Sequence, residues 1–166
     1  MSKTFRTGIL TLSDKGSQGL REDLSGKTAA EILQAAGFVI VLTKIIPDHQ
    51  PTIVKTLIAW VDQEHLDLIV TSGGTGLSPT DVTPQAMRAV IDFEVPGMAE
   101  AMRAESLKKT PYAMISRAMV GVRKNTLIVN LPGSPKGVKE NLAVVLPALP
   151  HALEKLGGDK SDCAIS

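Results

Sequence analysis

The chain has 166 residues, enough for one domain that buries a sizeable core without disulfides or a structural metal. Its 18 basic and 17 acidic residues nearly cancel and aromatics are only 3%, which argues against nucleic acid or a charged membrane surface as a partner. The single cysteine, Cys163, excludes a disulfide within the sequence, and no apolar run approaches the roughly 18 residues of a membrane span. Residues 1–6 carry no signal-peptide core, so a cytoplasmic location is expected.

In chain order, 7–12 is a short apolar run that feeds the polar stretch Ser13-Asp14-Lys15-Gly16, the pattern of a buried strand and its loop. Ser25 is a candidate cap for a helix striped by Ala29, Ile32, Leu33 and Ala36, with Gly37 placed to end it in a left-handed conformation. A second strand spans 38–46. After the turn at 47–50, Pro51 opens a helix that faces the core with Ile53, Leu57, Ile58 and Val61.

The third strand, 66–70, runs into Thr71-Ser72-Gly73-Gly74-Thr75-Gly76. Thr83 and Pro84 read as cap and first residue of the next helix, which Val95-Pro96-Gly97 breaks before another at 98–107. Residues 118–122 and 126–131 form a hairpin around Arg123-Lys124-Asn125, expected as a solvated tip. Ser134 and Pro135 repeat the cap and first position, and helices at 138–146 and 150–156 close the chain. One domain is expected over 1–157, with 158–166 as a flexible tail. Strands apolar on both faces and alternating with helices call for a mostly parallel sheet covered on both sides, an α/β fold.

In such sheets ligands gather beyond the carboxyl ends of the strands. The 71–76 motif puts three glycines and three hydroxyls there, letting backbone N–H groups approach phosphate oxygens. It lacks the Gly-Lys-Ser/Thr ending of a Walker loop and the spacing of a dinucleotide fingerprint. Asn130-Leu131-Pro132-Gly133-Ser134-Pro135-Lys136 repeats the design, with a helix start and one ammonium for an anion. Each motif alone reads equally well as an ordinary connection. Asp48 and Asp81 sit in loops before helices, where a carboxylate can hold Mg²⁺ or simply favour the helix N-terminus. Ser116-Arg117 fits an anion contact or a surface pair. His49, His65 and His151 share no zinc-ligand spacing, and the methionines read as packing.

Taken in order, Leu12-Ser13-Asp14, Ile46-Pro47-Asp48, the 71–76 motif, Asp81-Val82-Thr83-Pro84, Pro96-Gly97-Met98, Leu107 with Pro111, Ser116-Arg117 and the 130–134 motif resemble the molybdopterin adenylyltransferases of the MogA and MoaB type and the G domains of gephyrin. The resemblance runs nearly end to end. It implies a three-layer α/β/α sandwich, usually a homotrimer, that joins molybdopterin to Mg·ATP and gives adenylylated molybdopterin and pyrophosphate. It further implies that Thr71, Ser72, Gly73, Gly74, Thr75 and Gly76 surround phosphate, that Asp48 and Asp81 serve Mg²⁺ and the reacting groups, and that Ser13 and Asp14 line the same pocket. Asn130, Pro132, Gly133 and Ser134 would meet the nucleotide, and Ser116, Arg117 and Lys136 the pterin phosphate or pyrophosphate. Small-molecule substrates are then the partners, with a separate protein inserting the metal. A molybdopterin-binding protein of the MoaB type with little transferase activity is the alternative.

Overall fold

The protein is described by a computed structural model over residues 3–161. Its strands are β1 (Arg6–Leu12), β2 (Val39–Ile46), β3 (Leu68–Ser72), β4 (Phe93–Glu94), β5 (Val120–Arg123) and β6 (Thr126–Leu131). They make one sheet in the order β2-β1-β3-β6-β5-β4. The first four in that order run parallel, while β5 is antiparallel to β6 and β4 to β5. Every residue of β3 and β6 is buried, the polar Thr71, Ser72, Thr126 and Asn130 along with the apolar residues, as befits strands covered on both faces.

The helices are α1 (Asp14–Ser17), α2 (Leu24–Ala35), α3 (Gln50–Asp62), α4 (Thr83–Val90), α5 (Pro96–Leu107), α6 (Pro135–Val145) and α7 (Leu149–Leu156). Alternate strand residues feed two separate cores. Ile9, Leu68 and Val129 pack with Leu33 of α2, Met102 of α5, Leu142 of α6 and Leu153 of α7. Their chain neighbours Leu10, Ile69 and Ile128 pack on the opposite face with Ile53 and Leu57 of α3 and Met87 of α4. The period of two in a strand sorts these side chains, and the result is the expected three layers.

Gly37 ends α2 as its position predicts: its φ is 89°, and Phe38 N–H donates to Leu33 O at 3.0 Å while Gly37 N–H donates to Gln34 O at 3.0 Å. Several boundaries differ from the sequence reading. Asp23, not Ser25, caps α2 by accepting from Gly26 N–H at 2.8 Å, and Ser25 is buried inside the first turn. Thr83 is the first residue of α4 rather than its cap, a position held by Val82. Thr71 and Ser72 belong to β3, not to the loop after it. Pro96 starts α5 instead of breaking a helix, since a proline at the first position forfeits no helical hydrogen bond. The one-turn α1 and two-residue β4 are too short to show a period.

The hairpin tip is not merely solvated. Arg123 grips Asp62 of α3 through two hydrogen bonds, at 3.2 and 2.9 Å, and donates to Val90 O at 3.1 Å, while Lys124 adds a 3.0 Å ion pair to Asp62. These partners hold the Asp62 carboxyl at about 2, well under its ordinary value. At the other end of the chain, Gly158 takes a φ of 89° after α7, and Lys155 reaches Ser161. Most of the expected flexible tail, with Cys163, lies outside the described residues.

Candidate active site

The chain leaves β1 for β2 on one side and returns to β3 on the other, which opens a crevice at the carboxyl ends of β1 and β3. Four segments meet there: Ser13 after β1, Asp48 after β2, 73–76 after β3 and 132–134 after β6. Two extend the ladder beyond the strands, Ser13 N–H to Ile46 O at 2.9 Å and Gly73 N–H to Leu131 O at 3.1 Å. Gly73 and Gly74 have φ of 102° and 66°, a left-handed region that side chains resist. Space enforces the same choice. A Cβ on Gly73 would run into Leu12 O; one on Gly74 would run into the Thr83 hydroxyl and would itself lie 3.2 Å from Asp48 Oδ1. Gly133 stacks close by, its Cβ position 3.4 Å from Gly73 Cα.

The two glycine turns together separate two cavities. One cleft, about 640 Å³, is lined by Ser13, Asp48, Ser72, Gly73, Gly74, Gly133 and Ser134, with Asp23 and Ser25 from the start of α2. The other, about 390 Å³, is lined by Thr75, Gly76, Ser116, Pro132, Ser134 and Lys136, with Arg103, Lys109 and Tyr112. Ser134 lines both and caps α6 by accepting from Gly137 N–H at 3.0 Å, so one helix N-terminus faces two spaces. The first cleft is bordered mainly by acids, Glu22, Asp23 and Asp48 against Arg21, and the second mainly by bases, with Glu140 the acid among them.

Asp14 and Asp48 exchange hydrogen bonds: Asp14 N–H donates to Asp48 Oδ2 at 3.2 Å and Asp48 N–H to Asp14 Oδ1 at 2.9 Å. Among the described residues, the buried Asp48 Oδ1 accepts nothing, and the Ser72 hydroxyl, also buried, has no partner either. Burial pushes the Asp48 carboxyl above its ordinary value, with Asp14 and Asp81 adding repulsion and the Asp14 N–H opposing the rise. Buried polar atoms are normally paired, so two orphans on one cleft wall point to a missing partner with hard-oxygen preferences or with donors of its own. No group of three or more His, Cys, Asp or Glu gathers at metal-holding distance among the described residues.

The other sequence candidates divide into rim and support. Asp81 Oδ2 accepts from Ser78 N–H at 3.0 Å, closing its own turn, and lies 2.8 Å from where a Gly76 Cβ would be. Arg117 spends its guanidinium on that turn, donating to Gly76 O at 2.8 Å, Asp81 O at 2.7 Å and Gln85 Oε1 at 3.4 Å. Thr71 and Asn130 are wholly buried beneath the crevice, where Asn130 Nδ2 donates to Thr71 Oγ1 at 3.0 Å and Asn130 Oδ1 accepts from Met119 N–H at 3.3 Å. Sequence reasoning missed Ser25, whose hydroxyl donates to Gly133 O at 2.7 Å, and Asp23, which also accepts from Thr11 Oγ1 at 2.7 Å. Asp23 three residues before Gly26 was a legible cap signal; the reach of Ser25 across 108 residues had none.

Residues 8–151 match the family described as "Probable molybdopterin binding domain", of the molybdenum cofactor biosynthesis class. The chain belongs to this family. It is 40% identical over 159 residues to a molybdopterin adenylyltransferase of Helicobacter pylori, covering 95% of this chain and 90% of that one. With the molybdopterin adenylyltransferase of Escherichia coli K12 it shares 43% over 148 residues, 87% of this chain and 75% of the relative. Among solved structures, the molybdopterin biosynthesis enzyme MoaB of Thermus thermophilus superposes with a TM-score of 0.88 at 53% identity, covering 93% of this chain and 98% of that one. None of the helices among the described residues is long and apolar enough to cross a membrane.

Proposed function

We propose that the chain is a molybdopterin adenylyltransferase, joining the AMP part of ATP to molybdopterin with release of pyrophosphate. The observation that carries this reading is the orphaned Asp48 Oδ1 in a crevice walled by two glycine turns and a helix N-terminus, in a chain 40% identical to a named molybdopterin adenylyltransferase. In the reaction an oxygen of the pterin's terminal phosphate attacks the α-phosphorus of ATP, the bond to the β-phosphate oxygen breaks, and pyrophosphate carries away the negative charge. Phosphoryl and nucleotidyl transfers ask the protein mainly for alignment and charge neutralisation.

Each residue then has a task. Gly74, Thr75 and Gly76 offer backbone donors to phosphate, while Pro132, Gly133 and Ser134 wall the nucleotide at the start of α6. Lys136 and Ser116 supply positive and polar character on the basic side. Ser13 and Asp14 line the acidic cleft, and Asp14 orients Asp48 through the exchanged N–H contacts. Mg²⁺, when bound, neutralises phosphate oxygens; Asp48 Oδ1 and the Ser72 hydroxyl are hard-oxygen atoms free to face it, and Asp81 offers the oxygen not engaged by Ser78. Arg117 acts in this reading by fixing the 76–81 turn as much as by its charge. The working state is a homotrimer in the cytoplasm, with a separate protein inserting the metal.

A second reading, a molybdopterin-binding protein with little transfer, rests on the family's own description as a probable molybdopterin binding domain. Incubating the purified protein with molybdopterin, ATP and Mg²⁺ separates the two. Stoichiometric pyrophosphate and adenylylated pterin support the enzyme; tight pterin binding without pyrophosphate supports the binding protein.

A further inference from the structure

Thr83 was expected to cap α4, yet its hydroxyl makes no cap. Wholly buried, it donates instead to Gly73 O at 2.9 Å, and its backbone N–H donates to Gly74 O at 3.1 Å. One residue thus holds two consecutive carbonyls of the glycine turn. Both peptide units are trans, so each N–H points opposite to its own carbonyl. The unit containing Gly73 O carries the Gly74 N–H, and the unit containing Gly74 O carries the Thr75 N–H. Neither N–H makes a hydrogen bond among the described residues. With their carbonyls drawn toward α4, both are turned away from it, on a segment where Gly73 and Gly74 line the acidic cleft and Thr75 and Gly76 the basic one.

We infer that Thr83 is a positioning residue, which by holding the Gly73 and Gly74 carbonyls aims the Gly74 and Thr75 N–H groups at the phosphate chain of the nucleotide. This rests on the reading of the 73–76 turn as a phosphate cradle. Two left-handed residues in succession can flip their peptide planes at little cost, because glycine has few steric barriers. An unanchored turn would present carbonyl oxygens to the ligand part of the time, repelling an anion. The hydroxyl removes that alternative before the nucleotide arrives, which is where pre-organisation gains affinity.

The test compares ATP with adenosine, both titrated by calorimetry into wild type, Thr83→Val and Thr83→Ser. Wild type should bind ATP more tightly than adenosine. Thr83→Val, which keeps the shape and loses the hydroxyl, should weaken ATP about tenfold, the worth of one well-placed hydrogen bond, and leave adenosine unchanged. Thr83→Ser should restore ATP binding. A purely structural Thr83 would weaken both ligands or neither in the valine variant, and either result overturns the proposal. If wild type prefers ATP no more than adenosine, the cradle reading itself fails and the inference falls with it. Should Thr83→Val not fold, the wild-type protein decides by nuclear magnetic resonance: the Gly74 and Thr75 amide signals should move with ATP and stay with adenosine, and unmoved signals reject the idea.

Discussion

Asp48 and Asp62 are two aspartates held in opposite ways. Asp62, between α3 and the hairpin tip, receives two hydrogen bonds from Arg123 and an ion pair from Lys124, and its carboxyl is held at about 2. Asp48, in the crevice, keeps one buried oxygen without any donor, and burial beside Asp14 and Asp81 raises its carboxyl. The first spends its charge on the fold. The second has one backbone donor, Asp14 N–H on Oδ2, and no cation; an unpaired buried acceptor is costly, which is why the proposed function gives its other oxygen to the ligand.

The largest expected effect strikes the crevice beside Asp48. Gly74→Val would force a branched side chain into a left-handed position against Thr83 and toward Asp48, so ATP binding by calorimetry should be abolished; unaltered affinity would remove the cradle. Next, Asp48→Asn should cut transfer by about two orders of magnitude, measured as pyrophosphate release. The same variant should melt no lower than wild type without ligand, since an acid whose value is raised by folding is destabilising when ionised. A lower melting temperature would move Asp48 into the company of Asp62. Asp81→Ala should lose most transfer with its melting temperature nearly unchanged, because the carboxylate closes a partly exposed turn; a large drop would make it structural.

On the other side of the comparison, Arg123→Ala should lower the melting temperature by a few degrees and leave turnover intact. The smallest effect is the pH dependence. Asp62 is lowered by folding, so its contribution is complete above about pH 4 and is lost as pH falls through about 2. The difference in stability between wild type and Asp62→Asn should therefore shrink between pH 4 and 2, and a difference independent of pH in that window would mean the ion pairs contribute nothing.

Much of the crevice was legible because its signals are local. Gly73, Gly74 and Gly133 announce close backbone approach, and Ser134 with Pro135 announces a capped helix start that the structure contains. Thr83 shows the limit of that reasoning. A threonine before a proline at a helix entry satisfies the cap pattern, but Thr83 is already the first residue of α4, and its hydroxyl donates to the Gly73 carbonyl ten residues away along the chain. Arg123 and Lys124 show it again: a charged hairpin tip looks solvated until α3 brings Asp62 against it.

The sequence by itself determined the alternation of strand and helix, the burial of β3 and β6 on both faces, the left-handed end of α2 at Gly37 and the gathering of polar loops at one edge of the sheet. All of these follow from residues within a few positions of one another, where period, glycine and proline act directly on the backbone. Only the tertiary structure decided that Asp48 Oδ1 and the Ser72 hydroxyl are left unpaired on one wall, that the glycine turns divide an acidic cleft from a basic one, and that Thr83, Ser25 and Arg117 hold the turns in place. Those outcomes depend on which atoms the sheet order brings within hydrogen-bond distance, and local chemistry cannot supply that.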